Sequence, residues 1–354
     1  MIKILDLYIG RTIINTSALC LLVLTGLSGL IKFVDQLRYV GRGDFDIFDV
    51  GLYVLFLVPR DIEMFFPIAA MLGALIGIGM LASSSELVVM QAAGMSKFQI
   101  TLSVMKTAVP LMLTIMLVGE YVAPASEATA REMKAQKISG GNLIGGARGS
   151  WAKDGDSFVN IGTVQDTGHL QNVTIYHFDK SRNLDKVTFA KQAVFDGDAW
   201  RIIDITDTLM EEKQVTVTER EQDRWKSTLT PDKLQVVTVH PESLSISGLL
   251  DYLDYLKVNQ QDPTRYQLAL WRKVGQPVTV AVMMLLALSF IFGPLRSVTM
   301  GARILLGVVT GFSFYLASEI FGPMSLVANL PPFLGAFLPS MLFAGVAIYL
   351  LQRR

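Results

Sequence analysis

The chain has 354 residues, 51% of them apolar, and its 31 Lys and Arg balance 31 Asp and Glu. That combination points to a membrane protein and leaves no polybasic surface for nucleic acid. The single cysteine, Cys20, lies in an apolar run and excludes an internal disulfide.

Uncharged runs of about 20 residues can cross a bilayer as helices. Thr12 to Ile31 is the first. It is too long for the core of a cleavable signal and lacks a clear small-residue cleavage site. Met64 to Ser85 is the second, and the apolar stretch before Pro59 lengthens it. Phe98 to Gly119 is the third, interrupted by Lys106. Val274 to Leu295 is the fourth, Ile304 to Ser318 begins the fifth, and Phe333 to Leu351 is the sixth. Pro67 and Pro277 fall inside spans, where each removes a backbone donor and can kink its helix.

With the N-terminus inside, the cytoplasmic side holds Lys3, Arg11, Lys97, Lys106, Arg296, Arg303, Arg353 and Arg354 against Asp6 and Glu86. The opposite short loops hold Lys32, Arg38, Arg42 and Arg60 against a surplus of acids, among them Asp44, Asp46 and Asp49. The positive-inside rule then puts both termini in the cytoplasm.

The segment "SSSELVVMQAAGMSKFQI" (83–100) links the second and third spans on that side. Ser83 and Glu86 have the spacing of a capping box, Gly94 suits a helix end, and Ser96 can start the third span. A short helix over 84–93 follows. Glu86 could serve as a cap alone. The apolar run Leu87 to Met90 predicts a buried face, against lipid or in a partner's groove.

Between the third and fourth spans lie segments with period-2 alternation: "NVTIYHF" (172–178), "KVTFAKQAVF" (186–195), "WRIIDI" (200–205), "KQVTVTE" (213–219) and "LQVVTVH" (234–240). They read as antiparallel strands of a sandwich or jelly roll. "GNLIGGARGS" (141–150) is a Gly-rich entry, and "SISGLLDYLDYLKVNQ" (245–260) restores helical spacing. The fold class is an α-helical membrane protein of six transmembrane helices with an inserted all-β, jelly-roll-like domain. Residues 1–125 hold spans one to three and the short helix, 126–260 the β domain, and 261–354 spans four to six.

Much chemistry is missing. There is no G-x-x-x-x-G-K-[ST] to cradle ATP and no H-E-x-x-H. His169, His177 and His240 are scattered in the β region and predict no metal site. The sequon at Asn172 falls within a strand. No catalytic set is apparent, so the chain reads as a non-enzyme with no cofactor of its own.

Two constellations remain. "IKFVDQLRYVGRG" (31–43) places Lys32 one helical turn from Asp35 and nearly two from Arg38. "VPRDIEMFFP" (58–67) places Arg60, Asp61 and Glu63 at the mouth of the second span. Such charges are ordinary at an interface, where Lys and Arg snorkel. They could also form a rim that grips an anionic head group. Gly307 and Gly311 form a G-x-x-x-G, which lets helices approach closely, within the chain or at a subunit contact that opens sideways.

The strings "KFVDQL", "SELVVMQAAG", "SVMKTA", "WAKDG", "LTPDKL", "RYQLALW" and "ALSFIFGPLRS" run the length of the chain. On them it resembles the inner-membrane lipopolysaccharide export permeases, the LptF/LptG family, with the G-type subunit the nearer match. The resemblance implies pairing with a homologous F permease subunit and a cytoplasmic ATPase dimer that binds ATP and Mg. It implies lipopolysaccharide as substrate, drawn from the outer leaflet and passed to a periplasmic jelly-roll bridge, with a single-span periplasmic jelly-roll protein as a further partner. It places Lys32 on the glycolipid and Glu86 in the loop helix that docks in the ATPase groove, with Leu87, Met90 and Gly94 around it. Two rivals fit the same residues: an ABC-type permease for lipoproteins or another amphiphile, and a non-transporting scaffold for periplasmic proteins.

Overall fold

A computed structural model describes residues 4–139, 149–166, 168–179, 183–210, 214–231, 233, 234, 240–292 and 298–352. The Gly-rich segment 141–148 and residues 235–239 of the expected last strand lie outside them. So do Lys3, Arg296, Arg353 and Arg354 of the charge count. The chain divides into two compact units.

The first unit is Met1–Asp35, Val54–Ser126 and Thr264–Arg354. Its helices are α1 (Ile4–Gln36), α2 (Ile47–Ser83), α3 (Glu86–Ala92), α4 (Lys97–Leu117), α5 (Ala123–Ser139), α7 (Thr264–Phe292), α8 (Met300–Val327) and α9 (Pro332–Gln352), some of which run past the unit's bounds. A π turn, Val118–Val122, joins α4 to α5. Among the described residues six helices are long and apolar enough to cross a membrane, with α4, the π turn and α5 acting as one of 42 residues. The third span is therefore about twice the length that a bilayer requires.

The core of this unit explains its order. Ile9 and Ile13 of α1, Met71, Leu75 and Ile78 of α2, Ile100 and Val104 of α4, and Val280, Met283 and Leu288 of α7 pack into one apolar cluster. The most apolar stretch of α2 is 72% buried and that of α1 only 11%, so α2 is the central post and α1 a peripheral one. Gly307 and Gly311 let α8 lie close on α2. A Cβ at Gly307 would fall 2.7 Å from Leu75, and one at Gly311 would fall 2.9 Å from Ile68. Of the two readings open for the pair, the structure fits packing within the chain: their faces are filled by this chain's own α2.

The second unit is Gln36–Tyr53 and Glu127–Pro263. It takes in residues 36–53, which the sequence places with the first spans. Its sheet has strands β1 (Ser150–Asp154), β2 (Ser157–Asp166), β3 (His169–Phe178), β4 (Leu184–Phe195), β5 (Trp200–Met210) and β6 (Val215–Trp225), followed by α6 (Ile246–Val258). The strands pair in chain order, all antiparallel. This is a meander, and the crossed connections of a jelly roll do not occur among the described residues. At the Asp-Gly turn between β4 and β5, Phe195 faces Trp200 and Gly197 takes φ +81°. One face buries Val159, Ile161, Val173, Ile175, Ala190 and Ile205. Trp200 is fully buried, and its Nε1 donates to the Leu229 carbonyl at 2.7 Å. The end of α6 clamps the first hairpin. Asn259 Oδ1 accepts from Gly155 N at 2.8 Å, and the Tyr255 hydroxyl donates to the Lys153 carbonyl at 2.6 Å. Burial, with the nearby Asp154 charge, pushes the Tyr255 phenol up to about 12.

Candidate functional site

At one end of the helical unit, α2 carries two buried carboxylates two residues apart. Lys32 of α1 donates to Asp61 Oδ1 at 2.5 Å, and the Ser28 hydroxyl donates to Oδ2 at 3.1 Å. The Asp61 side chain is 3% exposed, whereas that of Lys32 is 32% exposed. The cation is thus half-surface and the anion beneath it is buried. Lys32 is not a free snorkelling charge in this state, because it neutralises an anion that would be costly alone.

Glu63 is shared. Its Oε2 accepts from Arg60 Nη1 at 2.8 Å and its Oε1 from Lys273 Nζ at 2.9 Å. Lys273 also donates to the Gly119 carbonyl of the π turn at 3.1 Å. A Cβ at Gly119 would stand 2.9 Å from Glu63 Oε1, so only glycine lets the π turn come this close. Gln276 Nε2 donates to the Glu63 carbonyl at 2.9 Å. That carbonyl is available because Pro67, four residues on, has no N–H to give it. Pro277 stands in the same relation to Lys273. Both members of the buried pair therefore sit one turn before a proline, where the helical ladder is open.

Of the expected rim residues, Lys32 and Arg60 belong to these clusters. Asp35 is exposed at the end of the first unit. Arg38 belongs to the second unit, where Tyr39 gathers cations: the Arg38 and Arg42 guanidinium carbons lie 5.0 and 5.1 Å from its ring centre and Lys134 Nζ lies 3.7 Å away. Lys134 Nζ also donates to Gln36 Oε1 at 2.6 Å. Neither Lys134 nor Lys273 is singled out by sequence reasoning, which starts the fourth span at Val274.

The other end of the helical unit carries α3. The expected capping box at Ser83 and Glu86 does not form. α2 continues to Ser83, whose hydroxyl donates to the Met80 carbonyl at 2.8 Å, and Ser85 takes φ +64° as the N-cap of α3 with no side-chain cap. Of the three consecutive serines only Ser83 has the spacing to Glu86, and α2 runs on through it. A true capping box stands at Ser96 and Gln99, starting α4. Gly94 takes φ +95°, its N–H bonds Gln91 O, and Met95 N–H bonds Met90 O, the paired bonds of a Schellman end.

Leu87 and Met90 are buried in the chain's own core, so they do not offer themselves to a partner's groove as expected. Val88 and Val89 are 61% and 66% exposed. Glu86 accepts from the Tyr8 hydroxyl at 2.7 Å and the Ser84 hydroxyl at 2.9 Å. Nearby, Lys106 is explained: it donates to Asp6 Oδ2 of α1 at 2.7 Å, and the Ser103 hydroxyl donates to the other oxygen. Among the described residues no group of three or more His, Cys, Asp or Glu gathers as a metal site.

Residues 7–353 match the family model described as lipopolysaccharide export system permease LptF/LptG. The lipopolysaccharide export system permease protein LptG of Escherichia coli strain K12 is 50% identical over 354 residues, which cover 99% of this chain and 98% of that protein. Its Haemophilus influenzae Rd counterpart is 46% identical over 356 residues, covering 100% of this chain and 99% of that one. With an apolar six-helix unit, an inserted β sheet and these matches over its whole length, the chain belongs to the LptF/LptG family of lipopolysaccharide export system permeases.

Proposed function

We propose that this chain is the permease subunit of an ABC transporter that extracts lipopolysaccharide from the outer leaflet of the bacterial inner membrane and passes it to a periplasmic jelly-roll bridge. The observation that carries this reading is the outer wall of α1. Leu27, Leu30, Ile31 and Val34 form one apolar stripe of α1, all four more than half exposed, and Lys32 leaves the same helix on the side that meets Asp61 of α2. An apolar helix face that ends level with a partly exposed cation suits acyl chains below a phosphorylated head group. Asp61 holds Lys32 in place until a phosphate competes for it. In this reading both termini are cytoplasmic, the β unit is periplasmic, and a homologous F subunit completes the cavity.

No nucleotide motif occurs in the sequence, so the driving free energy enters from a separate ATPase dimer. The α3 helix is suited to transmit it. Val88 and Val89, with Glu86 beside them, form the docking face toward a basic ATPase groove. Leu87 and Met90 anchor the same helix in the bundle, so a push on one face reaches the other. In the β unit, β6 ends the sheet among the described residues, and nearly all its side chains are exposed. It is suited to accept a strand of the bridge or of the single-span jelly-roll partner.

Native mass spectrometry of the purified complex tests the reading. Lipopolysaccharide and an ATPase dimer should accompany this chain. A bound lipoprotein, or no ATPase, would overturn it.

A further inference from the structure

The two buried carboxylates at the Lys32 end are held differently. Asp61 has Lys32 as its ion-pair partner, with the Ser28 hydroxyl beside it. Glu63 has two cations, and they differ in exposure. Arg60 is 25% exposed, whereas Lys273 is 8% exposed and is fixed by the Gly119 carbonyl as well.

We propose that Lys273 is a positioning residue for head-group capture: it is the standing counter-cation of Glu63, and so it leaves Arg60 free to turn to an anionic head group. The proposal rests on the reading of this chain as a lipopolysaccharide permease. A buried carboxylate stripped of its last cation is strongly disfavoured. If Arg60 were the sole partner of Glu63, its move to a phosphate would strand that charge. With Lys273 in place, Glu63 stays neutralised throughout, and Arg60 exchanges one charge-assisted contact for another.

The surroundings keep Lys273 from following Arg60. The π turn aims the Gly119 carbonyl at its Nζ, and the missing side chain at Gly119 gives the pair room. Gln276 fixes the Glu63 backbone through the carbonyl that Pro67 leaves open. These ties come from α2, the π turn and α7, so the Glu63–Lys273 pair is the rigid half of the site. Arg60 is the half that reaches the surface.

The test is lipopolysaccharide retention by the purified permease–ATPase complex, read by native mass spectrometry, with thermal stability measured in parallel. Lys273→Met leaves Arg60 as the only cation on Glu63 and should lower retention about tenfold. Lys273→Arg should keep it. Adding Glu63→Gln to Lys273→Met should restore retention, because the charge that binds Arg60 to position 63 is then gone. Wild-type retention in Lys273→Met, or no recovery on adding Glu63→Gln, overturns the proposal. If Lys273→Met does not assemble, the Glu63→Gln, Lys273→Met double variant decides alone: retention at or above wild type supports the proposal, and a loss overturns it. Arg60→Gln separates the two levels of the argument. Unchanged retention there would refute Arg60 as a head-group ligand, whatever Lys273 does.

Discussion

The two ends of the helical unit offer opposite charges. At the Lys32 end the carboxylates of Asp61 and Glu63 are buried and the cations reach outward. At the α3 end the Asp6 carboxylate is likewise buried under a partly exposed Lys106, and Glu86 stands beside the exposed Val88 and Val89. Cations over an apolar wall suit a phosphorylated lipid. A carboxylate on a short apolar helix suits a protein groove with a basic side chain. One device, a buried carboxylate under a partly exposed cation from another helix, stands at both ends, and what differs is the exposed group beside it: cations at the Lys32 end, the Glu86 carboxylate at the α3 end.

The strongest way to break that contrast is to invert the cation that covers a buried carboxylate. Lys32→Glu strips Asp61 of its cation and sets a like charge beside it. It should cost roughly 3–5 kcal/mol and lower the melting temperature of the purified complex. Adding Asp61→Asn should recover most of the loss. Unchanged melting in Lys32→Glu would show that the pair does not hold α1 to α2. For the same reason Lys32→Gln is the better probe of lipid binding.

The α3 end should separate into two faces. Leu87→Ala should cost roughly 2–4 kcal/mol of the chain's own stability, because it empties a core position. Val88→Asp should leave melting unchanged while weakening ATPase association about tenfold or more. If Leu87→Ala is silent and Val88→Asp melts early, the faces are misassigned. Glu86→Arg should also uncouple the ATPase, and a reciprocal acidic substitution in the groove should restore part of the activity.

The β unit supplies the mildest case. Asp207 accepts from the Thr188 hydroxyl at 2.6 Å, lies 3.1 Å from Lys186 and pairs with Arg220. Burial pushes its carboxyl up, but Thr188, Lys186 and Arg220 outweigh that and hold it below the usual range. A carboxylate with a depressed folded pKa adds stability that is complete above the unfolded value of about 3.9 and is lost as pH falls through the lower folded value. Melting should therefore weaken below about pH 4, and Asp207→Asn should flatten part of that slope. An identical slope in Asp207→Asn would remove Asp207 from the account. His177 does not share in this: burial first, and Lys186 second, keep its imidazole pKa below the ordinary value.

Much of the fold was legible because membrane spans write long apolar runs and strands write alternation. β1 and β2 were missed because β1 is only five residues and β2 is interrupted by Gly162. The meander order was hidden because alternation gives strands and not their pairing. At the site, Lys32, Arg60 and Glu86 could be named from charge at span ends. Glu63 was named there too, but Lys273 and its pairing with Glu63 needed another signal. Each stands four residues before a proline inside a helix, as Lys106 does before Pro110 and Glu319 before Pro323. A charged side chain one turn ahead of an intramembrane proline marks a place where open backbone and buried charge are satisfied together. Which helix supplies the partner is a matter of packing, and no local pattern carries that.

The central claim is that Lys32 gives up Asp61 for a lipid phosphate. It is tested most directly by lipopolysaccharide retention in complexes carrying Lys32→Gln and Lys32→Arg, with assembly checked in each. The account predicts that Lys32→Gln retains about tenfold less lipid while Lys32→Arg stays near wild type. Equal retention in wild type and Lys32→Gln would contradict it and leave Lys32 as a tie between α1 and α2 alone.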